Sequence, residues 1–144
     1  TRAHYARYLV QIGKVSNDGQ AFKRYLGGGK SCFVKAEWVD IPTAIDTIHA
    51  AGGVAVIAHP MRYNMTGKWI RRLIVDFKQW GGDGMEVADS GQTKDQRQYL
   101  ARLANEYDLA ASLGSDFHFP CGWIELGKNL FLPEEVKPIW TLFE

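Results

Sequence analysis

Apolar residues recur at helical spacing twice near the start of the chain. Ala6, Leu9, Val10 and Gly13 share one face of residues 3–13, and Phe22, Tyr25 and Leu26 share one face of residues 19–26 before Gly27-Gly28-Gly29 interrupts the pattern. A small helical hairpin followed by a loop is predicted. Asp40-Ile41-Pro42 reads as a helix start with an acidic cap and an early proline, continued by Ala44, Ile45, Ile48 and Ala51 and ended by Gly52-Gly53.

From there the pattern alternates. Val54-Ala55-Val56-Ile57-Ala58 is wholly apolar and partly β-branched, the composition of a strand covered on both faces, and it ends at His59-Pro60. Lys68 to Trp80 sets Ile70, Leu73, Ile74, Phe77 and Trp80 on one helical face, stopped by Gly81-Gly82. Short strands are predicted at Gly84-Met85-Glu86-Val87-Ala88 and from Leu109 to Gly114, with a helix from Lys94 to Tyr107 between them. Strand, helix, strand, helix, strand implies parallel strands joined by crossover helices. Pro138 falls inside a helical pattern of Val136, Ile139, Trp140 and Phe143, where it predicts a break. Trp38, Trp69, Trp80 and Trp140 accompany other apolar residues at core spacing and read as core. No internal repeat or low-complexity tract is present.

Charge changes the picture. The net charge of +1 hides an asymmetry: residues 1–35 hold seven basic side chains (Arg2, Arg7, Lys14, Lys23, Arg24, Lys30, Lys35) against Asp18 alone, or +6, and the remaining 10 basic and 15 acidic residues give −5. The N-terminal part is suited to an anion, although solvated helices are often rich in Lys and Arg without any ligand. With 144 residues, 46% hydrophobic and 23% charged, the chain is an ordinary globular one, and disorder and collagen-like architecture are excluded. No apolar run approaches the roughly 18 to 20 residues of a membrane span, and the first residues lack a signal-peptide pattern, so a soluble, cytoplasmic protein is expected. Cys32 and Cys121 form no metal-binding or redox pair spacing and read as reduced thiols.

Two of the four histidines fall where predicted strands end, and in parallel α/β folds functional groups gather at that rim. His59 follows the first strand, and Asp116 and His118 follow the third. Residues i and i+2 of extended chain point to one side, so Asp116 and His118 can face one site, and imidazole plus carboxylate is the donor mix of catalytic zinc, manganese and iron. A single histidine at a strand end is more often a hydrogen-bonded structural residue, but two strand ends so equipped favour metal ligation. His49 lies within a helix and reads as structural. Arg2, His4 and Arg7 near a helix start, Lys30 after the glycines, and Arg62 three residues beyond His59 are candidate phosphate contacts. Tyr63 is a candidate for stacking on a base. Glu86 and Asp89, near the end of the middle strand, can approach the site, while Glu86, flanked by apolar residues, also reads as a paired structural carboxylate.

Ala58-His59-Pro60, Gly84-Met85-Glu86-Val87 and Gly114-Ser115-Asp116-Phe117-His118 resemble the later motifs of the PHP (polymerase and histidinol phosphatase) family of metal-dependent phosphoesterases. Thr1 to Arg7 and Tyr25-Leu26-Gly27-Gly28-Gly29-Lys30 resemble the helical insertion of the subgroup that acts on 3′,5′-nucleoside bisphosphates and on RNA from its 5′ end. The resemblance implies an α/β fold, the C-terminal part of a distorted seven-stranded (β/α)7 PHP barrel, with residues 1–35 as part of the basic insertion and residues 36–144 as barrel. It implies a hydrolase of phosphate esters using divalent metal ions, commonly manganese, in a di- or trinuclear cluster. His59, Asp116 and His118 would be ligands, with Arg2, His4, Arg7, Lys30 and Arg62 gripping phosphates of a nucleotide or short RNA.

The family's early His-x-His, Asp-His and Glu motifs are absent from these residues. The chain therefore reads as the C-terminal half of a longer protein, inactive by itself, with exposed strand edges that invite pairing with another copy. A histidinol-phosphate-type phosphatase and a non-catalytic module that binds nucleic acid or protein are the competing expectations.

Overall fold

The computed structural model describes residues 1–118, 120, 122 and 124–143. Cys121, which entered the sequence reading, lies outside the described residues, while Cys32 is an exposed free thiol. The chain divides into two units, Thr1–Trp38 and Val39–Glu144.

In the first unit, α1 (Arg2–Gln11) and α2 (Asp18–Ala21) form the expected hairpin, and α2 runs on into a π-helical turn at Phe22–Leu26. Asn17 caps α2 by accepting the Gln20 backbone N–H. Ala6, Val15, Ala21 and Leu26 are buried, with Leu9, Val10, Phe22 and Tyr25 packed against them. This is the apolar face read from the spacing, apart from Gly13, which is exposed and closes the hairpin turn at a φ of +71°.

The second unit begins with α3 (Ile41–Ala50), whose N-cap Asp40 accepts the Thr43 N–H at 2.9 Å. Strands β1 (Val56–Ile57), β2 (Gly84–Asp89) and β3 (Ala110–Gly114) follow, with α4 (Gly67–Gln79) and α5 (Lys94–Glu106) as crossovers. The sheet is parallel throughout, in the order β1-β2-β3. The predicted alternation is thus found, as a mixed α/β fold around a small parallel sheet. All six residues of β2 are buried, as expected of a central strand flanked on both edges. Ile70, Ile74 and Phe77 of α4 and Leu100, Leu103 and Ala104 of α5 join the core, each large side chain contributing about 1.5–3 kcal/mol. A register shift between Glu86 and Ala88 sets Glu86 opposite Ser112 and Ala88 opposite Leu113, leaving Val87 as the extra residue of a β-bulge.

Three expectations need correction. The apolar run 54–58 forms a ladder only at Val56 and Ile57, because Ala55 N–H is held by the Asp83 carboxylate at 2.6 Å and the chain leaves the sheet into a left-handed turn at His59. Trp38, Trp69, Trp80 and Trp140 are not core: they are 88%, 63%, 39% and 50% exposed. Trp69 precedes Ile70 on α4 and so falls about 100° away from the buried stripe, while Trp80 lies past the last helical turn as its C-cap. Around Pro138 the predicted break is found, but the helix it was to interrupt does not form. Pro138 is extended, bridges to Ala111 beside β3, and starts a short 3₁₀ turn at Ile139–Leu142. No helix among the described residues is long and apolar enough to cross a membrane.

Candidate functional site

The groups singled out from the second unit gather at the carboxyl ends of the three strands. After β1 the chain enters a 3₁₀ turn, Pro60–Arg62, capped by His59. His59 has φ 33° and ψ 58°, and Asp116, just past β3, has φ 54°. Left-handed backbone is uncommon for residues other than glycine, and less so for Asp than for a histidine that precedes proline. Both strand-end candidates therefore occupy strained turns of the kind concentrated at working sites.

Arg62 ties the rim together. Its Nε lies 3.4 Å from Asp89 Oδ2, and its NH1 donates to Asp116 Oδ2. Burial opposes the guanidinium charge, but Asp89 and Asp116 more than offset that, and its pKa is raised. Asp89 is nearly fully buried at the end of β2, where its Oδ1 also accepts the Gly91 N–H at 2.6 Å. Arg97 of α5, which the sequence reading did not single out, donates to the backbone carbonyls of Asp89 (3.3 Å) and Asn129 (3.1 Å) and stacks 3.9 Å from the Phe131 ring centroid. Its only signal in the sequence is a position one turn into a helix that starts just after β2.

Glu86 is buried and accepts the His59 backbone N–H at 2.6 Å through Oε2. Burial pushes its pKa up; the His59 N–H works against this, and the Asp89 and Asp116 charges add to it. Of the two roles left open for Glu86, the geometry places it at the rim and gives its carboxylate a backbone N–H as partner. Tyr63, the candidate for base stacking, is half-buried, donates its hydroxyl to the Ala58 carbonyl at 2.7 Å, and meets the His59 ring edge-on at 5.9 Å. Burial and then Glu86 raise its pKa.

The donor chemistry suits a cation in part. His118 Nδ1 is 2.7 Å from the Asp116 backbone carbonyl, which can only accept, so a neutral ring carries its proton there and keeps the lone pair on Nε2. His59 Nδ1 is buried without a hydrogen-bond partner. The Asp116 carboxylate faces Arg62 on one side and lies 3.7 Å from His118 Nδ1 on the other. Among the described residues, no three His, Cys, Asp or Glu side chains are close enough together to enclose an ion. His59, Asp116 and His118 thus share a rim without forming a closed ligand set. His49 is structural, its Nε2 bonded to Asp83 Oδ2 at 2.7 Å. In the first unit, Arg2, His4 and Arg7 are exposed on α1, and Lys30 is exposed in the turn after Leu26.

In open α/β folds generally, ligands bind outside the carboxyl ends of the strands, the rim that these residues occupy. An amidohydrolase from Chromobacterium violaceum, solved with bound sulfate and no metal, matches 99% of the chain with a TM-score of 0.80 and 42% identity, using 49% of its own length. A protein from Bifidobacterium adolescentis described as a metal-dependent phosphoesterase matches 98% with a TM-score of 0.62 and 28% identity, over 48% of its own length.

The sequence relatives are narrower. The chain is homologous over its whole length to proteins named as 5′-3′ exoribonucleases, 81% identical to one from Haemophilus influenzae and 51% identical to the exoribonuclease Rnm of Escherichia coli. It is also 42% identical to a 3′,5′-nucleoside bisphosphate phosphatase from Chromobacterium violaceum. It spans about half the length of these curated relatives: 52%, 49% and 51%. No family model matches the chain.

Proposed function

We propose that the intact protein containing this chain is a metal-dependent phosphoesterase that removes phosphate from 3′,5′-nucleoside bisphosphates and trims RNA from its 5′ end, with this chain supplying the C-terminal part of a (β/α)7 PHP barrel. Residues 1–35 serve as the basic, phosphate-binding insertion and residues 36–144 as barrel. The observation that carries the reading is the rim: two left-handed strand-end residues of ligand type, His59 and Asp116, beside an arginine fixed by two carboxylates. Names of the relatives support the substrate class.

In this reading His59, Asp116 and His118 hold divalent ions, manganese first among them, together with donors from the rest of the protein. Such ions supply Lewis acidity and activate water for attack on phosphorus. Asp89 anchors Arg62 from behind, so that the guanidinium offers a fixed positive charge to a phosphate oxygen. Arg2, His4, Arg7 and Lys30 bind the second phosphate or the RNA backbone, and Tyr63 borders the substrate while bracing the His59 turn. The outer edge of β1, unpaired among the described residues, accepts another strand, from the remainder of the protein or a second copy. Nucleotide and RNA substrates accord with a cytoplasmic location.

The test is phosphate release from 3′-phosphoadenosine 5′-phosphate by the intact protein with manganese. Asp116→Ala is expected to lower kcat/KM by at least about 100-fold with the fold retained, because a direct donor matters at least as much as an outer partner. Absent release, or a clear preference for histidinol phosphate, refutes the proposal. The 144-residue chain alone is expected to show no turnover.

A further inference from the structure

We infer that Glu86 is a positioning residue for His59, acting through the His59 backbone and not through the imidazole. The inference rests on the proposed role of His59 at the rim. It starts from an imbalance: His59 holds a left-handed turn at φ 33° while preceding Pro60, a conformation that its own sequence neighbours disfavour. Something outside the loop must maintain it. The Glu86 carboxylate reaches across from β2 and accepts the His59 N–H at 2.6 Å. No backbone ladder extends this far, since β1 pairs with β2 only through Ile57.

The space for that carboxylate is made by β3. A Cβ on Gly114 would lie 3.0 Å from Glu86 Oε1, so any larger residue there presses on the brace. The bulge beyond Glu86 and the glycine opposite Asp89 leave Glu86 room between the strands, with Oε2 directed at the turn. Tyr63 completes the support by bonding the Ala58 carbonyl one residue earlier. All three strands thus act on one histidine: β1 delivers it, β2 bonds its backbone, and β3 makes room for the bond.

Accepting one N–H requires an oxygen but no charge, which separates this role from ligation or proton transfer. In the intact protein, Glu86→Gln is expected to keep manganese affinity, read by chelator competition, and the visible absorption of a cobalt-substituted site within about threefold and without band shifts. Glu86→Ala is expected to lose about tenfold or more in affinity and to alter the cobalt bands. Gly114→Ala should weaken affinity in the same direction while leaving the metal-free melting curve cooperative, and it decides the matter if Glu86→Ala does not fold. Equal damage from Glu86→Gln and Glu86→Ala overturns the inference, as does unchanged metal binding in Gly114→Ala. His59→Ala separates the two levels. If it binds manganese normally, the proposed site falls; if it is impaired while the Glu86 and Gly114 variants are not, only the brace falls.

Discussion

Arg62 and Asp116 are joined side chain to side chain across 54 positions of sequence, linking the loop after β1 to the loop after β3. The same guanidinium reaches Asp89, whose side chain is only 3% exposed, at 3.4 Å. Arg62 itself is 36% exposed, so the link is partly screened, and removing it does not cost what breaking a fully buried pair costs. Arg62→Ala is expected to lower stability by about 1–2 kcal/mol, chiefly by leaving Asp89 without its cation. Arg62→Lys should recover only part of this, since an ammonium does not reproduce a fork spanning two carboxylates. Urea denaturation midpoints at constant slope read both effects; identical midpoints for all three proteins would show that the bridge adds nothing to the fold.

The basic first unit makes a kinetic prediction. Arg2→Ala or Arg7→Ala in the intact protein should raise KM for a nucleoside bisphosphate roughly tenfold, with a smaller rise for a monophosphate, because a charge-assisted contact of about 1.5 kcal/mol is lost only when the second phosphate is present. Initial-rate kinetics on both substrates decide it. An equal rise in KM for both substrates removes these arginines from second-phosphate recognition.

Gly84 begins β2 where there is no room for a side chain. A Cβ there would lie 2.6 Å from Ile139 Cδ1 and 2.8 Å from the Ala110 carbonyl oxygen, and the second contact is with ladder backbone that cannot turn aside. Gly84→Ala is therefore expected to cost about 1–3 kcal/mol, toward the upper end. Denaturant unfolding measures the loss, and a variant as stable as the parent would mean that β2 and β3 separate more freely than the sheet suggests.

Asp40 gives a pH dependence with a defined sign. Hydrogen bonds from Thr43, side chain first and backbone second, hold its carboxyl below the usual 3.8. A depressed carboxylate adds stability above its unfolded pKa, and that stability is lost as pH falls through the folded value. Asp40→Asn keeps a capping oxygen but cannot titrate. The wild type should melt above Asp40→Asn at neutral pH, and the gap should narrow as pH falls below 3.8. A gap that is constant with pH would assign the difference to cap geometry and not to charge.

Much of the secondary structure was legible because its signals are local. The acidic cap and early proline start α3, Thr93 and Gln96 form a capping box at α5, and glycines follow α3 and α4. The tryptophans show where local reading stops. Periodicity identifies which arc of a helix is apolar but not how wide an arc the neighbours cover, so Trp69 at the margin of α4 is 63% exposed. The run 54–58 was read for its burial, whereas strand length depends on the partner: after Ile57 the turn at His59 ends the ladder.

From the sequence by itself came the order of elements, the parallel α/β class, the strand-end positions of His59, Asp116 and His118, and the concentration of positive charge in residues 1–35. These depend on spacing, residue type and local capping, which act over a few residues and survive without knowledge of the fold. Tertiary structure alone decided that Arg62 bridges Asp89 and Asp116, that Glu86 bonds the His59 backbone, and that Gly114 leaves space for it. Each depends on which strand lies beside which, in what register, and on a bulge that displaces that register by one residue. Chain order specifies none of these until the sheet has assembled.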